Sequence, residues 1–597
     1  GGWAAAEGRW AGGGGGVGAR GQGQGLGLGL GDVGACAVAP TTHLGRDAEC
    51  AGLGNATTGH AIHLAGARGE VEQRQILVEA LPAVMDGEAA AAPSRVTLAF
   101  SDLVAVDAAR EEPFPAAGSR SPEPLRLGPL CGEQPEVCWD WWQVGYVFCN
   151  ETTRYQKSGG GWRPDPLLAP DPAGVRLEPG AAQPLWVRLS IPRDARPGRY
   201  AGSLWLNDER GYRLRSFLVY LTVWDIEMPS LEHSTWNAIF AFSYREMPEN
   251  NAALHPPHLT AETKKSWFAM LTDHRLPPDS LYHHDAVRNL EDVEYLAGVG
   301  QKWINLLDVS KRPKDGKDLC ADISDDHVAW VLDQLAPAVE KLSKGGLLGR
   351  AYVYGFDESK RECEPGVRKI FGAVKRAFPG LRTMAALGAE EWNGIPEMDP
   401  PLPLDGWVRH FVHHNTTSAR KWASQGKSYF LYHSIVPVQS GQINTFIERP
   451  LISARLMMWL GAGLGSDLTG WLYYAVDSYA TGCSVNPEPH HTLKRLGDTA
   501  KVDFNPGNCI WWPQSDLWAN GDGQFTYPGN LSEPVGTTRL ANFLDGLEDA
   551  ELLKMLPQDS TRALTRRLAR SLDDWDDDGA LLEEVRLQAA AAIEGRV

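Results

Sequence analysis

The 597-residue chain has no run of 18 or more apolar residues, so nothing in it reads as a membrane-spanning helix. It is short of positive charge. Its 57 Lys and Arg face 75 Asp and Glu, and the net charge of −18 repels phosphate backbones and anionic lipid headgroups alike. Nucleic acid is therefore not an expected partner. HExxH, GxSxG and the P-loop pattern GxxxxGKS/T are all absent, which removes the main support for a zincin, an elbow-type serine hydrolase and a nucleotide enzyme. The nine cysteines include no CxxC pair and no Cys/His set at zinc spacing. The His283-His284, His413-His414 and His490-His491 pairs point to opposite faces if they lie on strands, so none is a ready metal site. The acidic run from Asp574 imitates a calcium loop but places Val585 where a bidentate Glu is needed. No metal and no cofactor is expected.

What is present begins with tryptophan, 22 residues against 16 Tyr and 16 Phe, and flat apolar faces of this kind suit sugars. Gly1 to Ala35 holds sixteen glycines, whose backbone entropy argues for a disordered leader, set at residues 1–59. Asn-x-Ser/Thr sequons at Asn55, Asn150, Asn415 and Asn530 point to a secreted or lumenal protein, although no basic-then-apolar leader precedes them. Cys36 with Cys50 and Cys131 with Cys138 are sequence-near candidates for bridges. Cys320, Cys363, Cys483 and Cys509 could pair after folding.

Residues 60–229 alternate apolar and polar positions between turns, the pattern of an antiparallel β-sandwich, clearest in QPLWVRLSIP, RYAGSLWLN and RSFLVYLTVWDI. After Pro229 short apolar strands alternate with amphipathic stretches. Eight strands are expected, at 235–242, 276–284, 302–308, 350–357, 381–388, 406–412, 428–434 and 470–476, which predicts a (β/α)8 TIM-type barrel over 230–556. A helical tail follows at 557–597 and is expected to pack on the barrel.

Barrel enzymes carry their chemistry at the carboxyl ends of strands, and the fourth strand, RAYVYGFDES, ends in Asp357 and Glu358. Mutual repulsion should hold one of the two protonated, as a general acid requires. Vicinal acids suit a mechanism in which Glu358 protonates the leaving oxygen while Asp357 orients a 2-acetamido group that is itself the nucleophile. The competing reading is that the DES sequence only caps the next helix. At neighbouring strand ends Tyr244, Arg245, Tyr432, His433, Tyr474 and Asp477 are candidates to bind hydroxyls or stack on a sugar ring. Trp511, Trp512 and Trp518 could form a platform or seal the tail.

The chain resembles glycoside hydrolase family 123 and its related catalytic domains. The likeness is carried by YVYGFDE, by ERPLISARLMMWLGAGLGSDLTGWLYYAVDSY (448–479), by the GDGQFTYPG turn (521–529) and by TTRLANFLDGLEDAELL (537–553). It implies a retaining exo-β-N-acetylgalactosaminidase working through an oxazolinium intermediate, with Asp357 as acetamide stabiliser and Glu358 as acid/base. Tyr474 and Asp477 stand where the family often has Trp and Asn, a departure that bears on sugar specificity. A glycan or glycoconjugate is the expected partner. The alternatives are a glycosidase of the same fold acting on another sugar, and a carbohydrate-binding protein without turnover.

Overall fold

The computed structural model of the chain describes residues 33–53, 61–80, 95–106, 130, 138–149, 161–178, 180–242, 261–313, 315–439, 441–465, 467–477, 520–527 and 534–596. The first strands are β1 Val33–Val38, β2 Ala61–Arg68, β3 Val71–Ala80, β4 Arg95–Phe100, β5 Val104–Val106 and β6 Trp139–Cys149. After them come β7 Gly161–Leu168, β8 Val175–Arg176, β9 Ala182–Ser190, β10 Gly198–Asp208 and β11 Arg213–Glu227. They form two sheets, ordered β1-β3-β9-β6-β7 and β2-β11-β10-β4-β8, with β5 on β10. The alternation seen in sequence aims Ile76, Val78, Leu185 and Val187 of one sheet at Leu204, Leu206, Phe217 and Val219 of the other, in one buried core. One pair departs from the antiparallel expectation, since β2 runs parallel to β11.

The expected leader boundary at residue 59 is also corrected. Val33–Val38 pairs antiparallel with β3 and is almost wholly buried, and the Cys36–Cys50 disulfide fastens the loop that follows it. Glycine content hid a strand in which Val33, Ala35, Cys36, Ala37 and Val38 supply enough apolar surface to fold.

The second part is a nearly closed parallel barrel of eight strands, one in each expected segment. They are β12 Asn237–Ala241, β13 Pro278–Asp279, β14 Ile304–Asp308, β15 Ala351–Gly355, β16 Arg382–Ala385, β17 Gly406–His410, β18 Ser428–His433 and β19 Gly470–Tyr473. The ladder is interrupted between β13 and β14. Pro277 and Pro278 carry no N–H, which shortens β13 to two residues. The seam is closed instead by the buried Asp279, whose carboxylate accepts from the Asn305 N–H at 3.0 Å, the Tyr352 hydroxyl at 2.6 Å and Arg288 at 2.9 Å. Inside the barrel lie Ile239, Ala241, Trp303, Tyr352, Tyr354, Met384, Val408, Phe430, Tyr432 and Leu472. Outside it pack helices such as Asp325–Lys344, N-capped by Ser324 and carrying Asp325 and Asp326 in its first turn. The β16–β17 connection has only short 3-10 turns, Glu390–Trp392 and Ile395–Glu397.

The helix Thr538–Lys554 is buried on every face, which a charged sequence tolerates only when its charges are paired. Arg539 forks onto Asp165 of β7 at 2.8 and 3.0 Å. Asp549 takes Arg455 of the helix Ile452–Leu464 at 2.6 Å and Arg586 of the helix Gly579–Ile593 at 2.8 Å. Arg586 also reaches Glu70 and Glu72 of the sandwich. The tail therefore packs on the barrel, as expected, and also joins it to the sandwich.

Candidate active site

Along β15 the residues alternate, so that Tyr352 and Tyr354 face the barrel interior while Ala351 and Val353 face the helices. Continued alternation would turn Phe356 inward and Asp357 outward. The backbone breaks the pattern. Phe356 has φ 58° and Glu358 φ 48°, left-handed values that cost a side-chain-bearing residue on the order of 1 kcal/mol or more each. Phe356 consequently packs outward, 1 % exposed, with its ring centroid 5.7 Å from that of Phe371. Asp357 comes over the interior, where Oδ1 accepts from the Tyr354 hydroxyl at 2.5 Å. Glu358, whose N–H donates to the Ala386 carbonyl at 2.9 Å, accepts from the Tyr432 hydroxyl through Oε1 at 2.7 Å.

The two adjacent acids thus share one recess, each on its own tyrosine. Among the described residues neither carboxylate takes a second hydrogen bond, and both side chains reach solvent. Neither acid caps a helix. The next turn begins after Lys360 and the helix Glu364–Ala377 after Cys363, both without a side-chain cap. The Cys320–Cys363 disulfide fastens that helix start to the loop after β14.

The expected pKa elevation falls on Asp357. It is pushed up to about 6, first by loss of hydration in the recess and then by the Glu358 charge, against the Tyr354 hydrogen bond and Lys311, which pull it down. Partial loss of hydration is therefore a larger cause than the like-charge repulsion anticipated for the pair. Around the acids stand groups that the sequence reading passed over. Tyr282 meets Tyr354 edge to face at 6.2 Å, and its hydroxyl is raised by burial and by the charges of Asp357, Glu358 and Asp308. Asp308, at the tip of β14, is pushed by burial to about 7. His410 abuts the Tyr432 ring at 4.7 Å and is held neutral, burial lowering it to about 4. A Cβ on Gly388 would stand 2.4 Å from the Tyr432 hydroxyl, so only glycine leaves that hydroxyl its place.

Of the expected sugar-binding residues, Tyr432 is in the recess. His433 is a correction. One step further along β18 it faces outward, wholly buried, stacked 4.2 Å from Tyr473. Its Nδ1 accepts from Trp471 at 2.9 Å, Nε2 lies 3.1 Å from the Thr445 hydroxyl, and burial keeps the ring neutral. It is a structural histidine. Tyr474 hydrogen-bonds Asp522, which burial raises to about 7. Asp477 is buried where the chain bridges to Gln524. Tyr244, Arg245, Trp511, Trp512, Trp518, Cys131, Cys483 and Cys509 lie outside the described residues. Among the described residues no group of three or more His, Cys, Asp or Glu could hold a metal ion.

A parallel barrel with two adjacent carboxylates at its mouth is an arrangement that acid/base hydrolysis of the glycosidase type can use. Residues 308–556 match the family model described as glycoside hydrolase 123, catalytic domain, a match that supports a glycoside hydrolase. A family 123 glycoside hydrolase from Clostridium perfringens, whose structure was analysed for glycolipid glycan hydrolysis, shares the fold. It is 14% identical with TM-score 0.65, over 94% of this chain and 98% of that one. Bacteroides thetaiotamicron EndoBT-3987 is 10% identical over 62% of this chain and 85% of its own, with TM-score 0.17, below what a shared fold gives. No curated protein matches the chain.

Proposed function

We propose that the protein is a retaining exo-glycosidase that removes terminal β-linked N-acetylgalactosamine from a glycan, with the substrate's acetamide as nucleophile. The observation that carries this reading is the adjacent pair, each acid holding one tyrosine hydroxyl and one oxygen without a partner among the described residues. In this scheme Asp357 accepts the acetamide N–H. The acetamide oxygen attacks the anomeric carbon as Glu358 gives its proton to the departing oxygen. Glu358 then deprotonates a water that opens the oxazolinium from the same face, so configuration is retained. A glycolipid glycan is one such substrate, by likeness to the Clostridium perfringens enzyme. We place the enzyme in a secreted or lumenal compartment, which the sequons and the Cys36–Cys50 and Cys320–Cys363 disulfides favour. We take the barrel to be a complete (β/α)8 unit over 230–556, with the sandwich before it and the tail at 557–597.

A panel of nitrophenyl β-glycosides tests the proposal. The N-acetylgalactosaminide should be hydrolysed on the order of 10³-fold or more faster than the galactoside, which lacks the intramolecular nucleophile. A thiazoline mimic of the oxazolinium should inhibit competitively. Comparable turnover of the galactoside, or indifference to the thiazoline, would point to a protein nucleophile.

A pH profile follows from Asp357. Its carboxyl must be ionised to accept the N–H and to balance the oxazolinium charge, and its value of about 6 lies above the ordinary 3.8. The acid limb of kcat/KM is therefore expected near pH 6, with activity lost below it. Tyr354→Phe removes a hydrogen bond to the charged form, so the limb should move to higher pH. A limb that stays in place or moves down would contradict the assignment.

A further inference from the structure

We propose that Asp308 and Ser310 are positioning residues, a clamp that holds the backbone kink at Phe356 and so turns both carboxylates into the recess. The proposal rests on the catalytic reading of Asp357 and Glu358. Left-handed φ at Phe356 and Glu358 is not a conformation their side chains favour, so something outside β15 has to hold it. Glu358 is tied on one side by the Ala386 carbonyl, and on the other side the tie comes from β14.

The β14–β15 ladder shifts register between Asn305 and Asp308, so the strands stop pairing regularly just where the kink begins. Past the shift the Val309 N–H still donates to the Tyr354 carbonyl at 2.8 Å. The Phe356 N–H then finds a side chain where a ladder would offer a carbonyl, and donates to Ser310 Oγ at 2.7 Å. A serine hydroxyl can rotate, and this one is fixed by Asp308, whose Oδ1 accepts from Ser310 Oγ at 2.9 Å and from its N–H at 3.0 Å. Asp308 is 0% exposed and Ser310 3%, so water does not compete for these bonds.

Gly355 supplies an independent sign of the same contact. A Cβ there would lie 3.1 Å from both Cβ and Oγ of Ser310, closer than an unshifted serine allows. The last residue of β15 is thus a glycine where the clamp closes. The chain of contacts runs from Asp308 through Ser310 to Phe356 N–H, one residue before the first carboxylate.

Steady-state kinetics and thermal melting of the full chain test the clamp. Ser310→Ala, Asp308→Ala and Gly355→Ala should each lower kcat roughly tenfold to a hundredfold, with KM changed less than about threefold, because binding groups stay while the acids move. Asp308→Asn, which keeps an oxygen for the serine, should restore most of the kcat lost in Asp308→Ala. Should either polar variant fail to fold, Gly355→Ala carries the test, since it displaces the hydroxyl without removing a buried polar group. Unchanged kcat per folded molecule, in an enzyme that Glu358→Gln inactivates, would overturn the clamp and leave the acid pair standing. Unchanged kcat in the clamp variants and in Glu358→Gln together would overturn the reading of the site itself.

Discussion

Glu358→Gln is expected to lower kcat on a β-N-acetylgalactosaminide by about 10²–10⁴-fold, the range a general acid/base contributes. The amide keeps an oxygen for the Tyr432 hydroxyl, so the recess and the melting temperature should stay as they are. What is lost is the proton delivered to the leaving oxygen and later the base that activates water. The deficit should be larger for an alkyl than for a nitrophenyl aglycone, because nitrophenolate can depart unprotonated. Asp357→Asn should act differently. Its amide oxygen can still accept from Tyr354, but its NH2 then meets the acetamide N–H donor to donor, and substrates with and without the acetamide should become more alike. A fully active double variant would remove the pair from the mechanism. Discrimination left intact in Asp357→Asn would remove that residue from acetamide recognition.

The residue types of this site were legible in sequence, and their geometry was not. YVYGFDE announces two carboxylates at a strand tip, but neighbours on a strand ordinarily face opposite ways, and only the left-handed Phe356 and Glu358 bring both inward. Alternation also separates Tyr432 from His433, a rule available from sequence that would have chosen the tyrosine alone. Asp308 ends β14 just as Asp357 follows β15, so asking which strands end in titratable residues could have found it. Tyr282, near the end of the expected strand 276–284, could have been found the same way, whereas Asp522 had no such signal, since loop closure brings it in. The barrel strands other than β13 were readable because each is a short, largely apolar run between turns, whereas β13 is only Pro278–Asp279. The Gly-rich start misled because composition averages over β1, whose apolar residues sit among glycines. The buried charges of Thr538–Lys554 were invisible because their partners come from the sandwich and the tail.

Those partners set the largest expected effect on stability. Arg586, 3% exposed, donates to Asp549 at 2.8 Å, to Glu72 at 2.7 Å, to the Ala65 carbonyl at 2.8 Å and to Glu70. It touches tail, barrel helix and sandwich at once, and Arg586→Met leaves three buried acids short of a counter-charge. Breaking a buried pair from one side costs roughly 3–5 kcal/mol, which should appear as a lower urea midpoint and melting temperature. Burial already raises Glu72 from 4.5 to about 8, and Arg586 is the strongest influence drawing it back down. Between those two values the folded chain keeps a proton that the unfolded chain has released, so this group costs stability as pH rises. Without the arginine that window widens upward from about pH 8, so the penalty of Arg586→Met should grow above pH 8 and be smaller below it. Adding Glu70→Gln and Glu72→Gln should restore more than half of the loss and flatten its pH dependence, a non-additivity expected only of groups in contact. A penalty below about 1 kcal/mol, or one independent of pH, would mean that apolar packing between the tail and the sandwich, not this ion network, holds the two parts together.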